Sequence, residues 1–126
     1  MEKVLIIGAG GIGSVIASSI VASGGKVFIA GRTQESLQDQ ASALGCEFGL
    51  VEATNAMSVD QCGDQAFAAL DGLTGIVNCV GSILLKPAHL TSPKEWDETI
   101  TANLTTAFHC IRSAGRLLRS TGGSVV

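Results

Sequence analysis

The chain has 126 residues, 46% of them hydrophobic and 15% charged, with a net charge of −3. That length suits one domain, and so much apolar material with so little charge excludes a disordered chain. The slightly acidic balance offers no basic field for a nucleic acid or a membrane surface.

Lys3 is followed by only four apolar residues before Gly8, short of the roughly 7–15 that a secretory signal core needs. No apolar run approaches the roughly 18 residues of a membrane span. Cys46, Cys62, Cys79 and Cys110 are too widely spaced for a metal or redox pair. They read as reduced thiols, so a cytoplasmic protein without a metal site is expected.

Val4-Leu5-Ile6-Ile7 is a short apolar run ended by glycines, the pattern of a strand buried on both faces. Ile12, Val15, Ile16, Ser19 and Ile20 then recur at helical spacing, and Gly24-Gly25 closes that helix. Residues 26–30 predict a second strand, residues 33–44 a polar helix and residues 48–51 a weaker third strand. Ser58 and Gln61 form a candidate capping box for a helix reaching Leu70. Residues 75–79 predict a fourth strand, and residues 80–91 a loop.

Ser92-Pro93-Lys94-Glu95 then combines an N-cap serine, a first-position proline and a third-position glutamate. The helix it starts is expected to reach Arg119, with a break near Ile100. Gly122-Gly123 ends it, and Ser124-Val125-Val126 begins a fifth strand. Strand alternating with helix predicts an α/β fold with a doubly wound parallel sheet of Rossmann type. The expected strand order is 3-2-1-4, with Ile76 and Val77 on or near an edge. No repeat or linker divides residues 1–126, which read as one partial nucleotide-binding domain.

Gly8-Ala9-Gly10-Gly11-Ile12-Gly13 satisfies G-x-G-x-x-G between a strand and a helix. Gly8 permits the tight turn, Gly10 lets backbone approach a pyrophosphate, and Gly13 lets helix and strand pack closely. The N–H groups around Gly11 and Ile12, with the helix dipole, suit the phosphate charge. A P-loop would need a lysine followed by serine or threonine, and neither stands there. Dinucleotide folds often place a carboxylate about 20 residues further on, against the ribose 2′-hydroxyl. Here the stretch reads Ala30-Gly31-Arg32-Thr33. A guanidinium can grip a 2′-phosphate that a carboxylate would repel, so NADP(H) is preferred and NAD(H) remains possible. The competing reading of Arg32 is a solvated residue ahead of a helix.

Three later segments complete a resemblance to the short-chain dehydrogenase/reductase family that runs along the whole chain in the family's order. Asn78-Cys79-Val80-Gly81 resembles the Asn-Asn-Ala-Gly turn after the fourth strand, which lies against the cofactor. Glu52-Ala53-Thr54-Asn55 resembles the family's Asp-Val-Thr-Asp stretch, which borders the adenine. Trp96 to Leu104 resembles the segment leading to the helix asparagine, and by that resemblance Asn103 helps hold a water and the active-site lysine in a proton relay.

The resemblance implies an NADP(H)-dependent oxidoreductase that interconverts a ketone and a secondary alcohol in the full-length parent. Its substrate is then a small-molecule carbonyl or alcohol, and the parent is expected to be a homo-oligomer. There are two departures. The glycine loop is one residue shorter than the family's Thr-Gly-x-x-x-Gly-x-Gly, with Ile7 where threonine is common. The sequence also contains no tyrosine, so it stops before the family's catalytic serine and its Tyr-x-x-x-Lys pair. Lys86 and Lys94 are wrongly placed to substitute. The alternative reading is therefore a non-catalytic nucleotide-binding fragment or remnant.

The other signals have plainer readings. Trp96 reads as a packing residue, and His89 and His109 as structural. Arg112, Arg116 and Arg119 read as a solvated or interface face of the last helix. Phe108 and Ile111 suit either the core or a second subunit.

Overall fold

The computed structural model describes all of residues 1–126. Its elements are β1 (Lys3–Ile7), α1 (Gly11–Ala22), β2 (Lys26–Gly31), α2 (Gln34–Leu44), β3 (Glu47–Leu50), α3 (Ala56–Leu70) and β4 (Gly75–Asn78). A short 3-10 turn (Ala88–Leu90), α4 (Pro93–Ile100), a π-helical turn (Thr101–Thr105), α5 (Thr106–Leu117) and β5 (Ser124–Val125) complete the chain. The strands form one parallel sheet in the order β3-β2-β1-β4-β5. This is the doubly wound, Rossmann-type α/β architecture that the alternation of elements predicts.

The expected edge at β4 is displaced by one strand. Val126 N–H donates to the Ile76 carbonyl at 3.0 Å, and Asn78 N–H donates to the Val126 carbonyl at 2.7 Å. Ile76 is buried in the apolar cluster beneath α3 and α5. Once a fifth segment is within reach, its backbone pairs with the otherwise unsatisfied side of β4.

The central strands carry consecutive apolar residues, Val4 to Ile7, Val27 to Ala30 and Ile76-Val77, because both of their faces are covered. Leu5, Ile7, Phe28, Ala30 and Ile76 pack with Val59, Cys62 and Ala66 of α3 and with Cys110, Ala114 and Leu117 of α5. Val4, Ile6, Val27 and Ile29 point the other way, toward Ala17 of α1 and Leu37 and Ala41 of α2. All four cysteines are free thiols. Burial pushes the Cys62 thiol up to about 12, helped by the neighbouring Cys110, and burial raises Cys110 to about 11.

α1 closes as its glycines predict, with Gly24 N–H on the Val21 carbonyl at 3.0 Å and Gly25 N–H on Ile20 at 2.9 Å. The capping box of α4 is also present, between Ser92 and Glu95. The Lys86 ammonium contacts both Glu95 oxygens, at 2.8 and 3.0 Å. That bond, together with the Ser92 backbone N–H, holds the Glu95 carboxyl below its ordinary range. Lys94 is likewise paired, with Glu98 at 3.7 Å.

The expected box at Ser58 is corrected. α3 starts earlier, with Asn55 as N-cap: its Oδ1 accepts from Ser58 N–H at 3.0 Å. The Ser58 hydroxyl instead accepts from Glu52 N–H at 2.9 Å. The earlier start adds residues 56–58 to the helix, and an asparagine caps as well as a serine. The expected break near Ile100 is a π-turn, so the helical path widens without stopping.

Trp96 does not pack. It is 61% exposed, because α4 has no buried residue. Leu104, Phe108 and Ile111 are 63%, 60% and 59% exposed, which excludes the core reading of Phe108 and Ile111 and leaves an apolar stripe at i, i+4, i+7. Beside it, Arg112 pairs with Asp60 at 3.1 Å and Arg116 with Asp64 at 2.7 Å, tying α5 to α3.

Gly13 carries the tightest approach in the fold. A Cβ there would overlap the Gly8 carbonyl oxygen, which is backbone and cannot rotate away. Gly13→Ala should therefore lower the unfolding free energy by about 1–3 kcal/mol through overpacking. Urea denaturation measures this, and an unchanged midpoint would contradict the close packing of α1 on β1.

Candidate functional site

The apolar runs of β1, β2 and β4 all end within a few residues of one another in space, where the crossover helices leave on opposite faces. Ligand crevices in open α/β sheets form at such a point. A cleft of about 490 Å³ opens there. Gly8, Ala9 and Gly10 form its floor, and Gly31, Arg32, Thr33, Ser36 and Leu37 one wall. Val51 to Thr54 continue that wall. Cys79 to Ser82, with Ala102 and Thr106, close the opposite side.

Local chemistry explains the floor. Gly8 has φ +93°, and a Cβ on it would lie 2.9 Å from the Cys79 carbonyl carbon. The ends of β1 and β4 can meet only because residue 8 has no side chain. Gly10 differs: a Cβ there would meet nothing within 4 Å. The space above it is open to the cleft. α1 starts at Gly11 with no side-chain cap and no acidic residue in its first turn. The partial positive charge of its N-terminus is therefore uncompensated by the protein.

The walls are braced by polar contacts, some within a turn and some across long sequence distances. Asn78 Oδ1 accepts from Val80 N–H at 3.1 Å, turning the chain after β4. Asn103 stands in the π-turn. Its Oδ1 accepts from Ser82 N–H at 3.0 Å, while its amide nitrogen donates to the Thr99 carbonyl at 2.9 Å. A Cβ on Gly81 would lie 2.9 Å from that same Oδ1. His109 Nδ1 bonds the Ala53 carbonyl at 2.9 Å, which fixes the protonated nitrogen as Nδ1. Glu52 accepts from the Thr54 hydroxyl at 3.0 Å. Arg32 takes part in none of the ion pairs.

Of the residues singled out from sequence, Gly8, Gly10, Arg32, Thr33, Glu52, Ala53, Cys79, Val80 and Gly81 line the cleft. Gly11, Ile12, Gly13, Asn78 and Asn103 do not. Ile12 is 74% exposed on the outside of α1, so only its backbone belongs with the helix N-terminus. Gly13 acts in packing, and Asn78 and Asn103 hold the segment that forms a wall. Ser36, Leu37, Ser82, Ala102 and Thr106 also line the cleft. Ser36 and Leu37 follow from helical spacing after Arg32 and Thr33. Ala102 and Thr106 had no local signal, since the packing of the π-turn beside β4 brings them in.

The residues present fit a dinucleotide: a glycine floor with open space over Gly10, an uncapped helix N-terminus and one unpaired cation at the far end of the cleft. The sequence profile of the family described as short chain dehydrogenase matches residues 2–126. D-threitol dehydrogenase of Mycolicibacterium smegmatis is 30% identical over 124 residues, covering 94% of this chain and 48% of its own. A short-chain type dehydrogenase/reductase from Mycobacterium ulcerans superposes with a TM-score of 0.92 at 26% identity, covering 98% of this chain and 49% of that one. A Burkholderia cenocepacia dehydrogenase with bound NADP gives 0.78 at 30% identity, covering 91% and 48%. The chain thus spans about half the length of the relatives it matches. Members of the family use NAD(H) or NADP(H). With the sheet order, the glycine floor and a profile match over nearly every residue, this chain belongs to the short-chain dehydrogenase family of oxidoreductases.

Proposed function

We propose that residues 1–126 form the nucleotide-binding part of an NADP(H)-preferring oxidoreductase that interconverts a small ketone and a secondary alcohol. The observation that carries the nucleotide preference is Arg32, which stands on the cleft wall where β2 ends and is held by no carboxylate. In this reading the N–H groups at Gly10, Gly11 and Ile12 face the pyrophosphate, and Arg32 with Thr33 faces the 2′-phosphate. Glu52 and Ala53 border the adenine, and Asn78 to Gly81 form the wall beside the nicotinamide half. Bound there, the nicotinamide supplies or accepts the hydride.

The chain's own residues orient that group and exclude water from one side. Asn103 keeps Gly81 and Ser82 in place, and the relay water that the resemblance implies would share its Oδ1. A second reading, nucleotide binding without catalysis, is favoured by one observation: residues 1–126 contain no tyrosine to act as acid or base. For the oligomeric parent, the apolar stripe of Leu104, Phe108 and Ile111 supports a contact between copies through α5.

Three outcomes are expected. Arg32→Asp should weaken NADPH binding by about 10- to 150-fold, the equivalent of one charge-assisted contact, and narrow or invert the preference over NADH. Calorimetric titration with both nucleotides checks this, and an unchanged ratio sinks the 2′-phosphate assignment. Residues 1–126 expressed alone should oxidise no NADPH with a panel of ketones, because general acid–base catalysis worth roughly 10²–10⁴-fold has no donor. Turnover above background would overturn the second reading. Finally, Phe108→Glu should shift any dimer toward monomer in sedimentation velocity, and a dimer indifferent to that charge would place the contact elsewhere.

A further inference from the structure

Gln40 is a polar residue where α2 turns its apolar side to the sheet. Leu37 and Ala41 flank it and are buried against β1, β2 and α1, and the stripe continues to Leu44. The amide nitrogen of Gln40 donates to the Ala9 carbonyl at 2.9 Å, across 31 residues of sequence. Its amide oxygen is buried and has no partner. An unpaired buried acceptor is unfavourable, and a methionine or leucine would avoid it. What the amide achieves in exchange is the bond to Ala9.

That bond fixes more than one atom. The peptide between Ala9 and Gly10 is planar and trans, so its carbonyl and its N–H point in opposite directions. Holding the Ala9 carbonyl toward α2 turns the Gly10 N–H away from α2. No backbone carbonyl accepts from Gly10 N–H, and a Cβ on Gly10 would meet nothing within 4 Å.

We propose that Gln40 is a positioning residue for the glycine floor, clamping the Ala9–Gly10 peptide so that the Gly10 N–H stays aimed at an anion. This rests on the nucleotide-binding reading above, although the clamp itself exists without nucleotide. Because the clamp acts at the pyrophosphate, it should affect NADPH and NADH alike, unlike Arg32.

Gln40→Met and Gln40→Glu test it in the full chain. Gln40→Met removes the donor and the orphan oxygen together. Its melting temperature should hold or rise. Deuterium exchange in residues 8–14 of the nucleotide-free chain should accelerate, with residues 26–30 unchanged. Affinity for both nucleotides should fall by about 3- to 10-fold, the weight of one hydrogen bond. Gln40→Glu should behave like Gln40→Met at pH 8, where its carboxylate cannot donate. It should recover toward wild type as the pH is lowered through the titration of that carboxyl, with wild type at each pH as the reference.

Unchanged exchange in residues 8–14 of Gln40→Met overturns the clamp, as does a melting temperature that falls while exchange rises everywhere. Wild type that binds neither nucleotide overturns the nucleotide reading alone, and the exchange comparison still decides the clamp. If Gln40→Met does not fold, loop exchange in Gln40→Glu relative to wild type decides it, and a ratio that does not change as the carboxyl titrates counts against the proposal.

Discussion

The contact between Gly13 and the Gly8 carbonyl is the constraint on which the site depends. It lets the first turn of α1 lie directly on the end of β1, so the helix N-terminus arrives beside the strand terminus with nothing between them. The missing Cβ of Gly8 does the same for β4, whose end approaches at Cys79. Two absent side chains thus bring three chain segments to one point. The parallel sheet supplies the rest, since crossovers leaving β1 and β4 on opposite faces must open a crevice between them.

The physical forces are divided between the interior and this rim. The two apolar layers hold the sheet between its helices through area removed from water, a force without direction. They cannot specify which way a peptide or a loop faces. At the strand ends that task falls to single side chains with directional bonds: Asn78 on Val80, Asn103 on Ser82, His109 on Ala53 and Gln40 on Ala9. Each joins a cleft-forming segment to an element that the apolar core already fixes, or turns the chain on itself. The wall residues therefore need little packing of their own, and the cleft can remain open.

Electrostatics follows the same division. The ion pairs between α3 and α5 lie on the outer surface, where each contributes little. Within the cleft the arrangement is sparse: an uncapped helix N-terminus, and Arg32 without a carboxylate partner. An unpaired cation and an uncapped helix N-terminus in one cleft favour an anionic occupant over a neutral one, because no protein group competes for either.

Much of this was legible from local pattern. The apolar runs of β1 and β2 announced strands buried on both faces, and the glycines after β1 announced the turn, because each signal depends only on residues adjacent in sequence. Arg32 was legible for the same reason, lying one residue beyond the β2 strand. The start of α3 was misread at Ser58 because two capping residues lie three apart, and the Ser58 hydroxyl is taken by the Glu52 N–H while Asn55 caps the helix. Trp96 was misread as packing because aromatic character says nothing about whether a partner surface exists. Sequence alone determined the order and type of the elements and the chemistry of the loop at Gly8 to Gly13, since these follow from backbone sterics and periodic burial. Tertiary structure alone decided that Ala102 and Thr106 line the cleft and that Gln40 reaches the Ala9 carbonyl, because contacts across tens of residues arise from how helices settle on a sheet.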